Sequence, residues 1–275
     1  MDKVLFIDAH NAIWRASIIF GAKKDPQEDD SVIITFNFFR NLRPIVEMFS
    51  PDKCFFVLEG HPQFRYDLFS DYKANRIVKQ AAKKESIDKF QKAKDIIIPI
   101  LNLLPITVCR ASKYEADDVI ASLCDNMREE ELTVLSNDSD YIQLLQRGYP
   151  SCQIYNPIKK ECMEAPAYPY VAWKCLNGDK SDNIPSLLKP KKALDCVTNP
   201  KLFQEFLGLQ ENRANFNVNR QLIEFRSVPA EEIDIVEGSK DYKTLREVFT
   251  DLKFESIVND KSWEKYCKTF NCLKY

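Results

Sequence analysis

Four apolar runs of strand length, each followed by carboxylates, constrain the fold of this chain more than any other feature. Val4 to Ile7 ends at Asp8 and Cys54 to Leu58 ends at Glu59. Ile106 to Cys109 precedes Glu115-Ala116-Asp117-Asp118, and Leu132 to Ser136 precedes Asn137-Asp138. Short, continuously apolar runs read as strands buried on both faces, as in a parallel sheet. Between them, apolar residues at helical spacing predict helices over Asn11 to Ile19, Val32 to Phe49 (with Ser31 as N-cap) and Asp117 to Met127. Lys23 to Asp30, polar and holding Pro26, reads as an exposed loop. Strand–helix alternation over residues 1 to 150 predicts an α/β fold with a mainly parallel sheet. In such sheets ligands bind outside the carboxyl ends of the strands, where these acids fall.

Glu115, Asp117 and Asp118 place three carboxylates within four residues at the head of a helix. One acid there would be a cap facing the positive end of the helix dipole. Three repel one another unless a cation sits among them. Acid pairs recur at Asp138-Ser139-Asp140 and Asp179-Lys180-Ser181-Asp182. The expectation is that these acids converge on bound metal ions. The only histidines are His10 and His61, so zinc binding or histidine base catalysis has little material. For His10 a structural or incidental role is expected over a catalytic one.

The formal net charge of −2 argues against a simple nucleic-acid coat, but its distribution matters more. From Tyr72 to Lys94, eight basic residues stand against Glu85 and Asp88, a candidate phosphate track or a solvated helix face. The nine cysteines are odd in number and lack a Cys-x-x-Cys pair, which fits reduced thiols and a cytoplasmic protein. No apolar run approaches the roughly 18 residues of a membrane span, and the N-terminus lacks a signal-peptide pattern. Cys152 to Tyr155 and Glu161 to Met163 flank Asn156-Pro157 and suggest a hairpin. Asp95 to Leu104 contains Pro99 and reads as a kinked helix or as two pieces. Beyond about residue 165 the chain reads as mostly helical. With six glycines it has no phosphate-cradling glycine-rich loop.

The motifs Phe6-Ile7-Asp8, Tyr72-Lys73-Ala74-Asn75-Arg76, Glu115-Ala116-Asp117-Asp118, Asp138-Ser139-Asp140 and Gly178-Asp179-Lys180-Ser181-Asp182-Asn183-Ile184-Pro185 resemble, in this order, the 5′ nuclease superfamily. That family includes the 5′-3′ exonuclease domain of bacterial DNA polymerase I, phage 5′ exonucleases and flap endonucleases. Within it, Lys113 to Asp118, Leu176 to Asn183 and Asn219 to Phe225 look like the RNase H of T-even bacteriophages, a flap endonuclease-type enzyme.

The resemblance implies a PIN-like nuclease domain over residues 1–165, with a basic helical arch at 72–94. A mostly helical DNA-binding region would span 166–275, with a divergent helix-hairpin-helix near 184–200. It implies hydrolysis of phosphodiesters near a 5′ end with two Mg²⁺ or Mn²⁺ ions. Asp8, Glu115, Asp117 and Asp138 would serve the first ion; Asp138 with Asp140, Asp179 and Asp182 the second. Asp118 would support the cluster. Lys73 and Arg76 match residues that contact the scissile phosphate, giving them a catalytic role beside Asp8 and Asp138. DNA contacts would come from Tyr72, Lys73, Arg76, Lys79, Lys83, Lys84, Lys189, Lys191 and Lys192. For Tyr72, packing in a core is the stronger expectation and stacking on a base the weaker.

Two positions depart from the family pattern. The second strand ends in Glu59 where the family has Asp; glutamate still supplies an oxygen ligand with a longer reach. Ser186-Leu187-Leu188-Lys189-Pro190-Lys191-Lys192 has no glycine where relatives bind a duplex phosphate through backbone and a K⁺ ion. Lysine side chains would take over there, and no K⁺ site is expected. The implied substrate is DNA with a 5′ flap or free 5′ end, or an RNA–DNA hybrid, in replication or repair. By analogy alone, a single-strand binding protein or sliding clamp would be a partner of a monomer in the cytoplasm, the host's if phage-encoded. Two other readings stay open: a PIN-type single-strand ribonuclease and a catalytically inactive DNA-binding relative.

Overall fold

The computed structural model describes residues 1–18, 30–76 and 84–274, apart from the Lys84 side chain. The expected loop at 23–29 and the middle of the expected arch lie outside these residues. Strands β1 (Lys3–Asp8), β2 (Lys53–Leu58), β3 (Thr107–Arg110), β4 (Glu131–Leu135), β5 (Cys152–Asn156), β6 (Glu161–Cys162) and β7 (Asp234–Val236) form one sheet in the order β6-β5-β4-β1-β2-β3-β7. The five inner strands run parallel and the two edge strands antiparallel. The fold class is therefore α/β with a mainly parallel sheet, as the four apolar runs require. No helix among the described residues is long and apolar enough to cross a membrane.

The helices are α1 (Ala9–Ile18), α2 (Asp30–Phe49), α3 (Gln63–Leu68), α4 (Lys84–Leu101), α5 (Ala116–Asn126), α6 (Ile142–Leu145) and α7 (Tyr170–Asn177). Then follow α8 (Pro190–Thr198), α9 (Pro200–Gly208), α10 (Gln210–Ile223), α11 (Tyr242–Asp251), α12 (Glu255–Val258) and α13 (Asp260–Asn271). Ser31 falls inside α2 rather than capping it, and α4 runs through Pro99 as one helix. Side chains of β1 alternate between two cores, as a strand's two-residue period demands. Leu5 and Ile7 pack with α1, α2 and α4, whereas Val4 and Phe6 pack with Val119, Ile120 and Leu123 of α5.

A third cluster joins α7, α8 and α10 around Tyr72, Leu176, Ile184, Phe216 and Leu222. Residues 234–273, expected to belong to the helical DNA-binding region, instead return to the sheet. β7 pairs with β3, and Leu245, Phe249, Phe254, Tyr266 and Phe270 bury themselves in the first core. Their helical pattern was legible, but the surface they cover is a long-range choice. β7 itself is short and exposed, with no apolar alternation to betray it.

Candidate active site

Asp8 terminates β1, Glu59 directly follows β2, and Asp138 lies three residues past β4. Because β1 lies between β2 and β4, these acids meet where the sheet's connections part to opposite sides. Glu115 is the N-cap of α5 and forms a reciprocal capping box with Asp118. Gly60 lets the end of β2 press against this loop: a Cβ there would stand 2.0 Å from the Ala111 carbonyl and 2.4 Å from that of Tyr114. Any larger residue would push Glu59 away from Glu115. One cleft is lined by Asp8, Glu59, Glu115, Asp117, Asp138, Asp140 and Asp182, together with His10, Tyr72, Lys73 and Arg76.

The acids divide by charge balance. Asp8 accepts hydrogen bonds from the Asn11 amide (3.0 Å), the Ser136 hydroxyl (3.2 Å) and the Tyr141 hydroxyl (3.4 Å). Glu59 accepts from the Ala116 amide at 3.0 Å. Among the described residues, Asp8, Glu59, Asp117 and Asp138 make no ion pair, unlike their neighbours. Their carboxyls are pushed up accordingly: Asp8 to about 6 by burial and then by Asp138, Glu59 to about 7 by burial and then by Glu115. Asp117 is raised by burial, then by Asp118 and Glu115; Asp138 is raised by burial, only partly offset by Lys174. Carboxylate oxygens with surplus negative charge and no nitrogen or sulfur donor fit a hard divalent cation. Glu115, Asp117 and Asp118 each offer an oxygen within 4.8 Å of the others.

Asp118 faces away from the cleft. It takes both ends of the Arg65 guanidinium, at 2.7 and 2.8 Å, and the Arg226 amide at 2.8 Å. Its oxygens are thereby spoken for, behind the acids that line the cleft. Arg65 is 1% exposed and also binds Glu115 at 2.5 Å and the Leu222 carbonyl at 3.0 Å. Sequence reasoning missed Arg65. No local signal in the sequence marked it.

Lys73 occupies a left-handed turn at φ 56°, held by its amide to the Asp182 carbonyl at 2.9 Å. Its ammonium pairs with Glu115 and lies 3.7 Å from Asp182, while Arg76 also pairs with Asp182. Burial alone would raise Glu115, but Lys73 and Arg65 hold it below the usual range. Tyr72 offers no face to a base. It is 3% exposed, and its hydroxyl reaches Glu115 at 2.9 Å and Asp182 at 3.3 Å, so the core role prevails. His10 stacks among Trp14 and Phe90; desolvation, then Arg76 and Lys73, lower it to about 4.

Asp140 and Asp179 are bridged by Lys174, a second cation that sequence reasoning passed over. Its signal was a lone lysine within the apolar stretch Val171-Ala172-Trp173-Lys174-Cys175-Leu176. Lys79 and Lys83 lie outside the described residues, as does the Lys84 side chain. Lys189, Lys191 and Lys192 are exposed at the N-terminus of α8, outside the cleft.

The raised carboxyls make the metal-free protein pH-sensitive. Unfolded, Asp8 and Glu59 would titrate near 3.9 and 4.3; folded, they hold their protons up to about 6 and about 7. Their stabilising contribution is complete at low pH and lost as pH rises through the folded values. His10 acts in the opposite direction, but mainly below its ordinary value of about 6.5. In EDTA the melting temperature should therefore fall between about pH 6.5 and pH 8, and Mg²⁺ should remove most of that fall. A melting temperature that climbs over this window without metal would contradict the assignment.

The family described as 5′-3′ exonuclease, N-terminal resolvase-like domain, matches residues 3–169. The 5′-3′ exonuclease of Bacillus subtilis is 31% identical over 225 residues, covering 74% of this chain and 71% of that protein. The DNA polymerase I of Streptococcus pneumoniae is 27% identical over 205 residues, 68% of this chain but 22% of the polymerase. The catalytic core of Rad2, solved with a DNA substrate, superimposes with a TM-score of 0.55 at 13% identity, over 96% of this chain and 93% of that one. Human GEN1, solved with Holliday junction DNA, gives 0.54 at 17% identity, over 97% and 71%. At these identities the likeness to Rad2 and GEN1 speaks for the fold alone. The family match, which spans every inner strand, and the Bacillus relative place this chain in the 5′ nuclease superfamily, as a nuclease of the 5′-3′ exonuclease family.

Proposed function

We propose that this chain is a divalent-metal-dependent, structure-specific 5′ nuclease acting on DNA with a 5′ flap or free 5′ end, RNA primers included. The observation that carries this is the convergence of four carboxylates, without ion-pair partners among the described residues, on a cleft that also holds Lys73 and Arg76. Asp8, Glu59, Glu115, Asp117 and Asp138 would hold one Mg²⁺ or Mn²⁺, and Asp140, Asp179 and Asp182 a second. Such ions supply a Lewis acid that activates water and stabilises the leaving oxygen. The chain's own part is positioning and charge. Lys73 and Arg76 sit at the cleft with their donors already aimed by Glu115 and Asp182. An entering phosphate meets oriented cations whose effect grows as its charge builds in the transition state. Lys189, Lys191 and Lys192 would hold duplex phosphates by side-chain contact.

A labelled 5′-flap oligonucleotide assayed with Mg²⁺ and then with EDTA tests the proposal. Cleavage near the flap junction with Mg²⁺ alone is expected. Cleavage of single-stranded RNA but not of the flap would favour a PIN-type ribonuclease; flap binding without cleavage would favour an inactive relative. Lys73→Ala should lower kcat by about 100-fold while changing the Kd for DNA by less than about threefold. Equal losses in both would make Lys73 a binding contact only.

A further inference from the structure

The two halves of the acidic cleft are not equally ready for a cation. In the first half Glu115 pairs with Arg65 and Lys73, but Asp8, Glu59, Asp117 and Asp138 carry no ion pair among the described residues, whereas Asp140 and Asp182 of the cleft, and Asp179 outside its lining, all do. Lys174 makes the difference at Asp140 and Asp179. It rises from α7 with its side chain 8% exposed, and its ammonium sits against an Asp140 oxygen and 2.8 Å from Asp179. Its place is built rather than incidental. Gly178, at φ 72°, ends α7 and turns the chain straight into Asp179, and an antiparallel bridge from Asp179 to Ile184 closes the loop. The Ser181 amide and hydroxyl each donate to Asp179 at 2.6 Å and fix its carboxylate toward Lys174.

We propose that Lys174 is a resident cation in the second half of the site, which keeps Asp140 and Asp179 together and makes the second divalent ion bind much more weakly than the first. This rests on the two-ion reading given above. An ion approaching these two carboxylates must compete with a buried ammonium already paired with both of them. The divided affinity would keep the site half-loaded until substrate phosphate arrives and adds negative charge of its own.

The test is Mn²⁺ titration of the full chain without nucleic acid, with free Mn²⁺ followed by electron paramagnetic resonance. The wild-type chain should bind one ion at least about tenfold more tightly than a second. Lys174→Met and Lys174→Gln should tighten the second ion by about tenfold or more and leave the first within about threefold. Adding Asp179→Asn to Lys174→Met should remove that gain. Two ions of equal affinity in the wild type would overturn the proposal, as would an unchanged or weaker second ion in both variants. Loss of cooperative unfolding in both variants would make Lys174 a structural prop and overturn it too. Failure of the two-ion reading looks different: the wild type would then bind no Mn²⁺ that Asp8→Asn removes.

Discussion

Asp138→Asn should lower cleavage of a 5′-flap substrate by on the order of 10³-fold or more, with DNA affinity close to that of the wild type. Asp138 lines the cleft, and none of its oxygens is engaged by a cation among the described residues. Among the described residues the one hydrogen bond its carboxylate accepts from a backbone amide is that of Asp140 at 2.9 Å, as the cap of the short turn Ser139–Tyr141. An asparagine oxygen can still accept that bond, so the backbone has no reason to move. What disappears is the negative charge. Asp138 also raises Asp8, so the metal-free variant should melt at the same temperature as the wild type or slightly higher. Catalysis and metal-free stability should thus separate. A variant that loses cleavage, DNA binding and its melting transition together would assign Asp138 to folding.

The second large effect concerns Arg65, which touches no solvent. Its guanidinium ties Glu115 and Asp118 of α5 to the Leu222 carbonyl at the end of α10, joining the acid loop to the helical layer. Arg65→Ala leaves Asp118 buried at 0% exposure with its charge uncompensated, which costs roughly 3–5 kcal/mol. For a chain of this size that lowers the melting temperature by on the order of 10 °C. Arg65→Lys should recover little, because one ammonium cannot reproduce the fork that meets Asp118 at both oxygens. Arg65→Met combined with Asp118→Leu should recover part of the stability by removing the stranded charge, yet leave Glu115 short of a partner. A loss below about 1 kcal/mol on Arg65→Ala, measured by urea unfolding, would show that water or Arg226 takes over the role.

The same residues mark how far the chain can be read without its coordinates. Strand ends were legible because a buried strand announces itself locally: Val4 to Ile7 and Cys54 to Leu58 are continuous apolar runs, and the acid that follows each is fixed by adjacency. Parallel pairing then carries Asp8, Glu59 and Asp138 to one side of the sheet whatever else the chain does. The Glu115 cluster was legible for a similar reason, since a helix start can be read from its caps.

Counter-ion assignments could not be read this way, because they join residues far apart in sequence. Arg65 finds Asp118 across 53 positions and Lys174 finds Asp140 across 34, and no local pattern encodes either distance. Tyr72 was held open between stacking on a base and packing in a core until burial decided it. By itself, then, the sequence determined which oxygens gather at the end of the sheet, through strand period and chain order. Only the tertiary structure decided which of them are already neutralised by a buried Arg or Lys and which are left for an ion, because desolvation and long-range pairing exist only once the layers have packed.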